Sequence, residues 1–257
     1  MNTANMDATN KPLPSPETTA LVTGGSRGIG LATAIELSHH CGNVVITYSS
    51  ELPSSTAEIV DSTNISAIRC DVRSDEDIDG LFGKIENDFG YTGIVVANAG
   101  ITRDTLLLRM NQSMWDEVLA TNLTGVYKTL KRAIQPMIKA HHGKIVLVSS
   151  VAGFIGSPGQ VNYAATKAGL MGMGRSLARE LASRNINVNI VAPGIVDTEM
   201  SAALGQKKLD ELLANVPLRR AASPQEIAKV ISFMTSDAAS YITGAVIPVD
   251  GGMAMGI

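Results

Sequence analysis

The sequence predicts an α/β fold in which one domain is built on a parallel, doubly wound sheet of seven strands. Three observations carry this prediction. From about Glu17 onward, short β-branched or apolar runs alternate with longer amphipathic stretches. The runs lack strict polar alternation, as expected of strands covered on both faces. The first run ends in a glycine-rich turn that opens an amphipathic segment. Length agrees: 257 residues, 45% of them hydrophobic, suit one large α/β domain.

The elements follow in order. The strands are "TTALVTG", "NVVITYS", "ISAIRCD", "GIVVANAG", "GKIVLVSS", "INVNIVAPG" and "AVIPVDGG". Right-handed crossovers between them give a Rossmann-like sheet. A helix is expected from about Ile29 to Cys41, and another from about Val161 to Ser183. The run "SDEDID", residues 74–79, reads as an acidic helix start favoured by the helix dipole. Residues 1–16 are polar, bear prolines and lack periodicity, so they are expected to be a disordered extension, with the domain spanning 17–257.

Composition excludes several functions. A net charge of −3 offers no basic field for nucleic acid. Cys41 and Cys70 make no disulfide framework and read as small core residues. The first residues have no basic-then-apolar leader pattern, and no run is long enough to span a membrane, so a cytoplasmic protein is expected. His141 and His142 adjoin no spaced ligand partners; they read as a surface helix end, and no metal is expected.

The first turn, "TGGSRGIG", carries chemistry. Gly24, Gly28 and Gly30 let the backbone approach a pyrophosphate, and the following helix points its positive N-terminus at that charge. The spacing G-x-x-x-G-x-G differs from the usual dinucleotide fingerprint, but a strand precedes it and a helix follows. Further on, "SSVAGFIGSPGQVNYAATKAG" places Ser150 at the end of the fifth strand and Tyr163 and Lys167 at i and i+4 on the next helix. All three can meet at the carboxyl edge of the sheet. A lone Tyr-x-x-x-Lys pair usually means a half-buried aromatic beside a solvated lysine. The serine and the glycine turn argue otherwise.

With "TGGSRGIG", "CDV", "ANAG", "TNLTG", the Ser150/Tyr163/Lys167 spacing and "APGIVDT" in this order, the chain over 17–257 resembles the short-chain dehydrogenases/reductases. The resemblance implies a nicotinamide cofactor and gives Tyr163 the role of general acid, with Ser150 a hydrogen-bond donor to the same substrate oxygen. A neighbouring ammonium and an oxidised nicotinamide are both expected to lower the Tyr163 pKa, and Lys167 also to hold the nicotinamide ribose. Asn122 is implied as a fourth member that helps hold a water; by itself it reads as a buried helix-kink residue. Further implied cofactor contacts are Ser26, Ile29, Gly100, Asp71 and Val72 at the adenine, Asn98 at the adenine ribose, and Pro193, Gly194, Val196 and Thr198 at the carboxamide. Asp71 alone could equally be a loop cap, and Pro193–Thr198 an ordinary strand-ending turn.

The second strand ends in Tyr48, Ser49 and Ser50, without the acid that binds both ribose hydroxyls of NAD. Arg27 can pair with a 2′-phosphate and Ser49 or Ser50 can bond to it, so the expected cofactor is NADPH. In the competing reading Glu51 swings into the ribose site. Within the family the chain resembles the bacterial 3-oxoacyl-[acyl-carrier-protein] reductases, most of all their long-chain, mycolic-acid-type branch. That implies an acyl-carrier-protein substrate docked on basic residues such as Arg184, Lys139 and Lys144, with His141 where many relatives have arginine. It also implies a substrate lid over 199–216. Acetoacetyl-CoA or a small ketone are the other substrates considered. A non-catalytic nucleotide-binding protein would be expected to lose one of Ser150, Tyr163 or Lys167. Gly169, Gly172 and Gly174, with Ala164, Ala165 and Ala168, suggest close packing of a second subunit, and the resemblance implies a tetramer.

Overall fold

The computed structural model describes residues 14, 17–202 and 205–256; all but Pro14 of the expected N-terminal extension, and Ala203 and Leu204 of the expected lid, lie outside them. Seven strands form one parallel sheet: β1 (Thr19–Val22), β2 (Asn43–Tyr48), β3 (Ile65–Arg69), β4 (Thr92–Ala97), β5 (Gly143–Val148), β6 (Ile186–Pro193) and β7 (Val246–Val249). Their order is β3-β2-β1-β4-β5-β6-β7. The order reverses between β1 and β4, and the crevice outside their carboxyl ends is where this topology admits a ligand.

The strands from β2 through β1, β4 and β5 to β6 are buried almost throughout, which is why they read as continuous apolar runs, while the edge strands β3 and β7 are only partly covered. Leu21, Val45, Val95 and Ile145 face one core. It is completed by α3 (Asp75–Phe89), α5 (Gly125–Ala140) and α7 (Val161–Leu181). Their register neighbours Ala20, Val22, Val44 and Val146 face the other. There α1 (Gly28–Ser38) and α10 (Pro224–Thr235) supply Leu37, Ile227 and Ile231. Cys70 belongs to the first core and Cys41 to the second, both as free thiols. Shorter helices complete the chain: α2 (Ser54–Asp61), α4 (Gln112–Leu119), α6 (Ala152–Ile155), α8 (Glu199–Ala202) and α9 (Gln206–Leu213).

Local chemistry sets the helix ends. Ser74 caps α3 by accepting from the Asp77 amide, with Asp75, Glu76 and Asp77 in the first turn, as the acidic run predicts. The first helix begins one residue earlier than expected and stops at Ser38, so Cys41 lies beyond it.

Two sequence expectations are corrected. His141 is exposed and takes a left-handed φ of 51° at the end of α5, but His142 turns inward and is only 7% exposed. It begins the descent into β5, where every residue is covered. The glycines of α7 also divide. A Cβ on Gly174 would stand 2.6 Å from Ile190 Cδ1 in the sheet, and one on Gly169 would stand 3.1 Å from Leu123 Cδ1. Both are needed for packing within the protomer. Gly172 alone of the three faces open space.

Candidate active site

The glycine turn after β1 is built by its neighbours. Gly24 and Gly28 have φ of 62° and 55°, and a Cβ on Gly24 would stand 2.8 Å from Ala99 Cα. The Gly24 amide donates to Thr47 Oγ1 and the Gly25 amide to the Thr47 carbonyl. The Asn98 side-chain amide donates to the carbonyls of Thr23 and Gly24, and the Thr56 hydroxyl to that of Ser26. Asn98 thus shapes the turn itself, which leaves its Oδ1 for a ribose. Beyond the turn, α1 has no capping side chain and no acid in its first turn. Amides and dipole at its start are available to an anion, and the residues present fit a dinucleotide pyrophosphate.

Across the crevice the chain leaves β6 at Pro193. Its carbonyl accepts from Val151, and the Gly194 amide donates to Val249. Gly194 packs on Asp250, where a Cβ would come within 2.8 Å of the Asp250 Cα. Val196 is buried and bridges to Ala222, while the Thr198 methyl faces Gly28 over the glycine turn. The walls expected to hold the cofactor therefore come together. After β3, where the adenine is expected, Val72 is buried against Gly125, and the Asp71 carboxylate is gripped by Arg73 at 2.6–3.0 Å, which holds its pKa below the usual carboxylate value. Arg27 is engaged at 3.0 Å by Glu199, the first residue of α8, with both side chains exposed.

Ser150, Tyr163 and Lys167 meet as their spacing predicts. Ser150 follows β5, and its hydroxyl accepts from the Ala152 amide and lies near enough to the Tyr163 hydroxyl to favour its ionised form. Lys167 lies one turn along α7, buried, with Nζ donating to the Val148 carbonyl at 2.8 Å and standing 5.4 Å from the Tyr163 ring centroid. Gly100 closes this pocket: a Cβ there would lie 3.6 Å from Lys167 Nζ.

The titration of the pair departs from the part of the expectation that rests on the ammonium. Burial pushes the Tyr163 phenol up to about 12, with the Asp104 carboxylate adding to the rise and the Ser150 bond opposing it. Burial pulls Lys167 down to about 8. The lysine ammonium is directed at a backbone carbonyl, and desolvation dominates at the phenol. In this state Tyr163 holds its proton.

Asn122 is fully buried in a π-helical turn spanning Ala120–Thr124. Its Oδ1 accepts from the Ile101 amide, and its Nδ2 donates to the Ile101 carbonyl and to Thr166 Oγ1. It pins the loop after β4 to α7 beside Lys167. Two residues escape sequence reasoning. Ser149 donates to the Lys167 carbonyl at 2.7 Å, and Asn162 accepts from the Tyr163 amide while donating to the carbonyls of Arg103 and Met114. Each acts through backbone groups that no motif displays.

The expected docking cations are displaced. Lys144 is 3% exposed and donates to Asn187, its register partner on β6, so it presents no surface charge. Arg184 stands beside His141, 3.5 Å from its Nε2, before β6 begins. Arg184 and the exposed Lys139 thus lie at the amino edge of the sheet, opposite Ser150. Among the described residues, no group of three His, Cys, Asp or Glu could hold a metal, and no helix is long and apolar enough to cross a membrane.

A doubly wound sheet with a glycine turn at its switch point and a Ser–Tyr–Lys cluster at the same edge defines a nicotinamide-dependent oxidoreductase. The chain belongs to the short-chain dehydrogenase/reductase family: residues 24–254 match the family model described as enoyl-(acyl carrier protein) reductase. Among individual proteins it is similar to the 3-oxoacyl-[acyl-carrier-protein] reductases FabG of Escherichia coli (44% identical over 236 residues, 92% of this chain and 97% of the relative) and Pseudomonas aeruginosa (46% over 240 residues, 92% and 97%). The Staphylococcus aureus reductase of the same name is 42% identical over 240 residues, 92% of this chain and 98% of its own.

Proposed function

We propose that this protein reduces the ketone of a 3-oxoacyl thioester borne on acyl carrier protein to the 3-hydroxyacyl thioester in fatty acid biosynthesis, using NADPH. The observation that carries the reading is the convergence of Ser150 and Tyr163 with buried Lys167, whose Nζ stands 5.4 Å from the Tyr163 ring centroid, at the edge where the glycine turn would hold a nucleotide. The cofactor supplies hydride to the carbonyl carbon. Ser150 orients the ketone oxygen, and Tyr163, which keeps its proton at neutral pH, gives it to the developing alkoxide. Lys167, poised near pH 8, supports return of a proton to the phenolate. Asn122 holds the wall beside it.

NADPH is favoured because β2 ends without an acid. A homotetramer in the cytoplasm completes the reading: exposed Tyr127, Val161, Ala165, Ala168 and Gly172 form a face for a second copy. A copy running antiparallel along α7 about Gly172 carries its Arg184 to the level of Gln160, near the mouth of the site. There it can meet an acidic carrier protein. The test is NADPH oxidation with matched 3-oxoacyl and 2-enoyl thioesters on carrier protein and on coenzyme A. Fast reduction of the 3-oxoacyl carrier substrate is expected; preference for the enoyl substrate, or no reduction of either, overturns the reading.

A further inference from the structure

The end of β2 carries a cation that no motif announces. Arg69, the last residue of β3, is the register partner of Tyr48, and its Nε donates to the Ser49 carbonyl at 3.3 Å. Its guanidinium therefore rests at the strand end where an NAD enzyme of this fold keeps its ribose-binding acid. Ser49, Ser50 and Arg69 are all exposed there. The surrounding charges isolate Arg69. Asp71 acts on it electrostatically, but the Asp71 carboxylate is gripped by Arg73. Arg27, the cation the glycine turn offers to the same ribose, is held by Glu199. Among the described residues, no carboxylate lies within ion-pair distance of Arg69.

We infer that Arg69 is the specificity-determining residue that reads the 2′-phosphate of the cofactor, with the hydroxyls of Ser49 and Ser50 beside it. This rests on the NADPH reading above and deepens it. Nε holds the guanidinium in place through the Ser49 carbonyl, which leaves both Nη groups to donate to phosphate oxygens. The same charge offsets Glu51, which otherwise repels a phosphate at this loop. Arg27 is second in rank, because a phosphate must first draw it from Glu199.

Binding, measured directly, tests the assignment. Dissociation constants for NADPH, NADH and adenosine 2′,5′-bisphosphate are determined by calorimetry for the wild type, Arg69→Gln, Arg69→Lys and Arg27→Gln. Arg69→Gln is expected to weaken NADPH and the bisphosphate about 10-fold, as for loss of a charge-assisted bond at an exposed site, and to leave NADH within about 2-fold. Arg69→Lys should retain part of that affinity, and Arg27→Gln should cost less than Arg69→Gln. Two results overturn the assignment while NADPH preference stands: an unchanged NADPH constant in Arg69→Gln, or an equal loss for NADPH and NADH, which marks Arg69 as a brace between β2 and β3. A wild type that binds NADH more tightly than NADPH instead overturns the cofactor reading itself.

Discussion

Tyr163 carries its proton because burial disfavours the phenolate, and this suits it to give a proton in the proposed reduction. Tyr163→Phe should bind cofactor normally and lower kcat at least ~10²-fold, the scale for losing a general acid. Calorimetry and steady-state rates together check it. His142 is buried with no partner for its Nε2, and burial lowers its pKa below the ordinary value. The sign follows: below about pH 6.5 the unfolded chain takes up a proton that the folded chain refuses, so stability falls as pH drops through that value toward the folded pKa. His142→Phe should show a smaller loss of Tm between pH 7.5 and pH 5.5 than the wild type. The sequence signals neither property. It places a lysine near a tyrosine and a histidine near a helix end, but desolvation depends on what tertiary packing lays over them.

At the scale of elements, α7 shows which parts of a pattern a sequence can disclose. Three glycines in one helix announce that something offsets a propensity cost of ~1 kcal/mol each, without saying what. Gly174 lies against Ile190 and Leu147 of the sheet, so Gly174→Ala should destabilise by about 1–3 kcal/mol through overpacking despite its better propensity. Gly172 meets nothing in the protomer, so Gly172→Ala should leave protomer stability unharmed while shifting assembly toward smaller species. Urea denaturation and sedimentation velocity separate the two effects. The strands, by contrast, were legible, because burial of the central ones on both faces writes itself as unbroken apolar runs. The Ser150–Tyr163–Lys167 cluster was legible too, since helical spacing and a strand end fix its placement. The partners that hold it, Ser149 and Asn162, bond to backbone, and backbone has no sequence signature. In α9, Leu212 and Leu213 are only partly buried. Truncating both to alanine should raise KM for long acyl chains more than for acetoacetyl thioesters, as chain-length series of initial rates would reveal.

Across the whole molecule, the two edges of the sheet have separate duties. The carboxyl edge gathers the glycine turn, Ser150, Tyr163 and the Pro193–Thr198 loop, whereas the amino edge holds Arg184, His141, buried His142 and Lys144. If a carrier protein docks on Arg184 as proposed, it serves the site of another copy, and docking is then tied to the proposed assembly. Arg184→Glu should therefore raise KM for carrier-borne substrates several-fold and leave coenzyme A thioesters unaffected, and a variant that stays monomeric should show no carrier preference to lose. Sequence placed Arg184 and Lys144 together as docking cations, because resemblance transfers residue identities but not the sheet edge on which a protomer exposes them.

The bonds that brace the glycine turn also govern how it meets its cofactor. Thr47 near the end of β2 and Asn98 just after β4 hold the two peptides flanking Gly24 by their amides and carbonyls respectively, and Thr56 in α2 holds the Ser26 carbonyl, so the turn cannot relax without loosening elements on both sides of the switch point. Cofactor therefore docks onto a surface shaped in advance, with little ordering entropy left to oppose it. The amide hydrogens of Gly24 and Gly25 should already resist solvent exchange in the free protein, while those at the uncapped start of α1 become protected only when an anion settles over them.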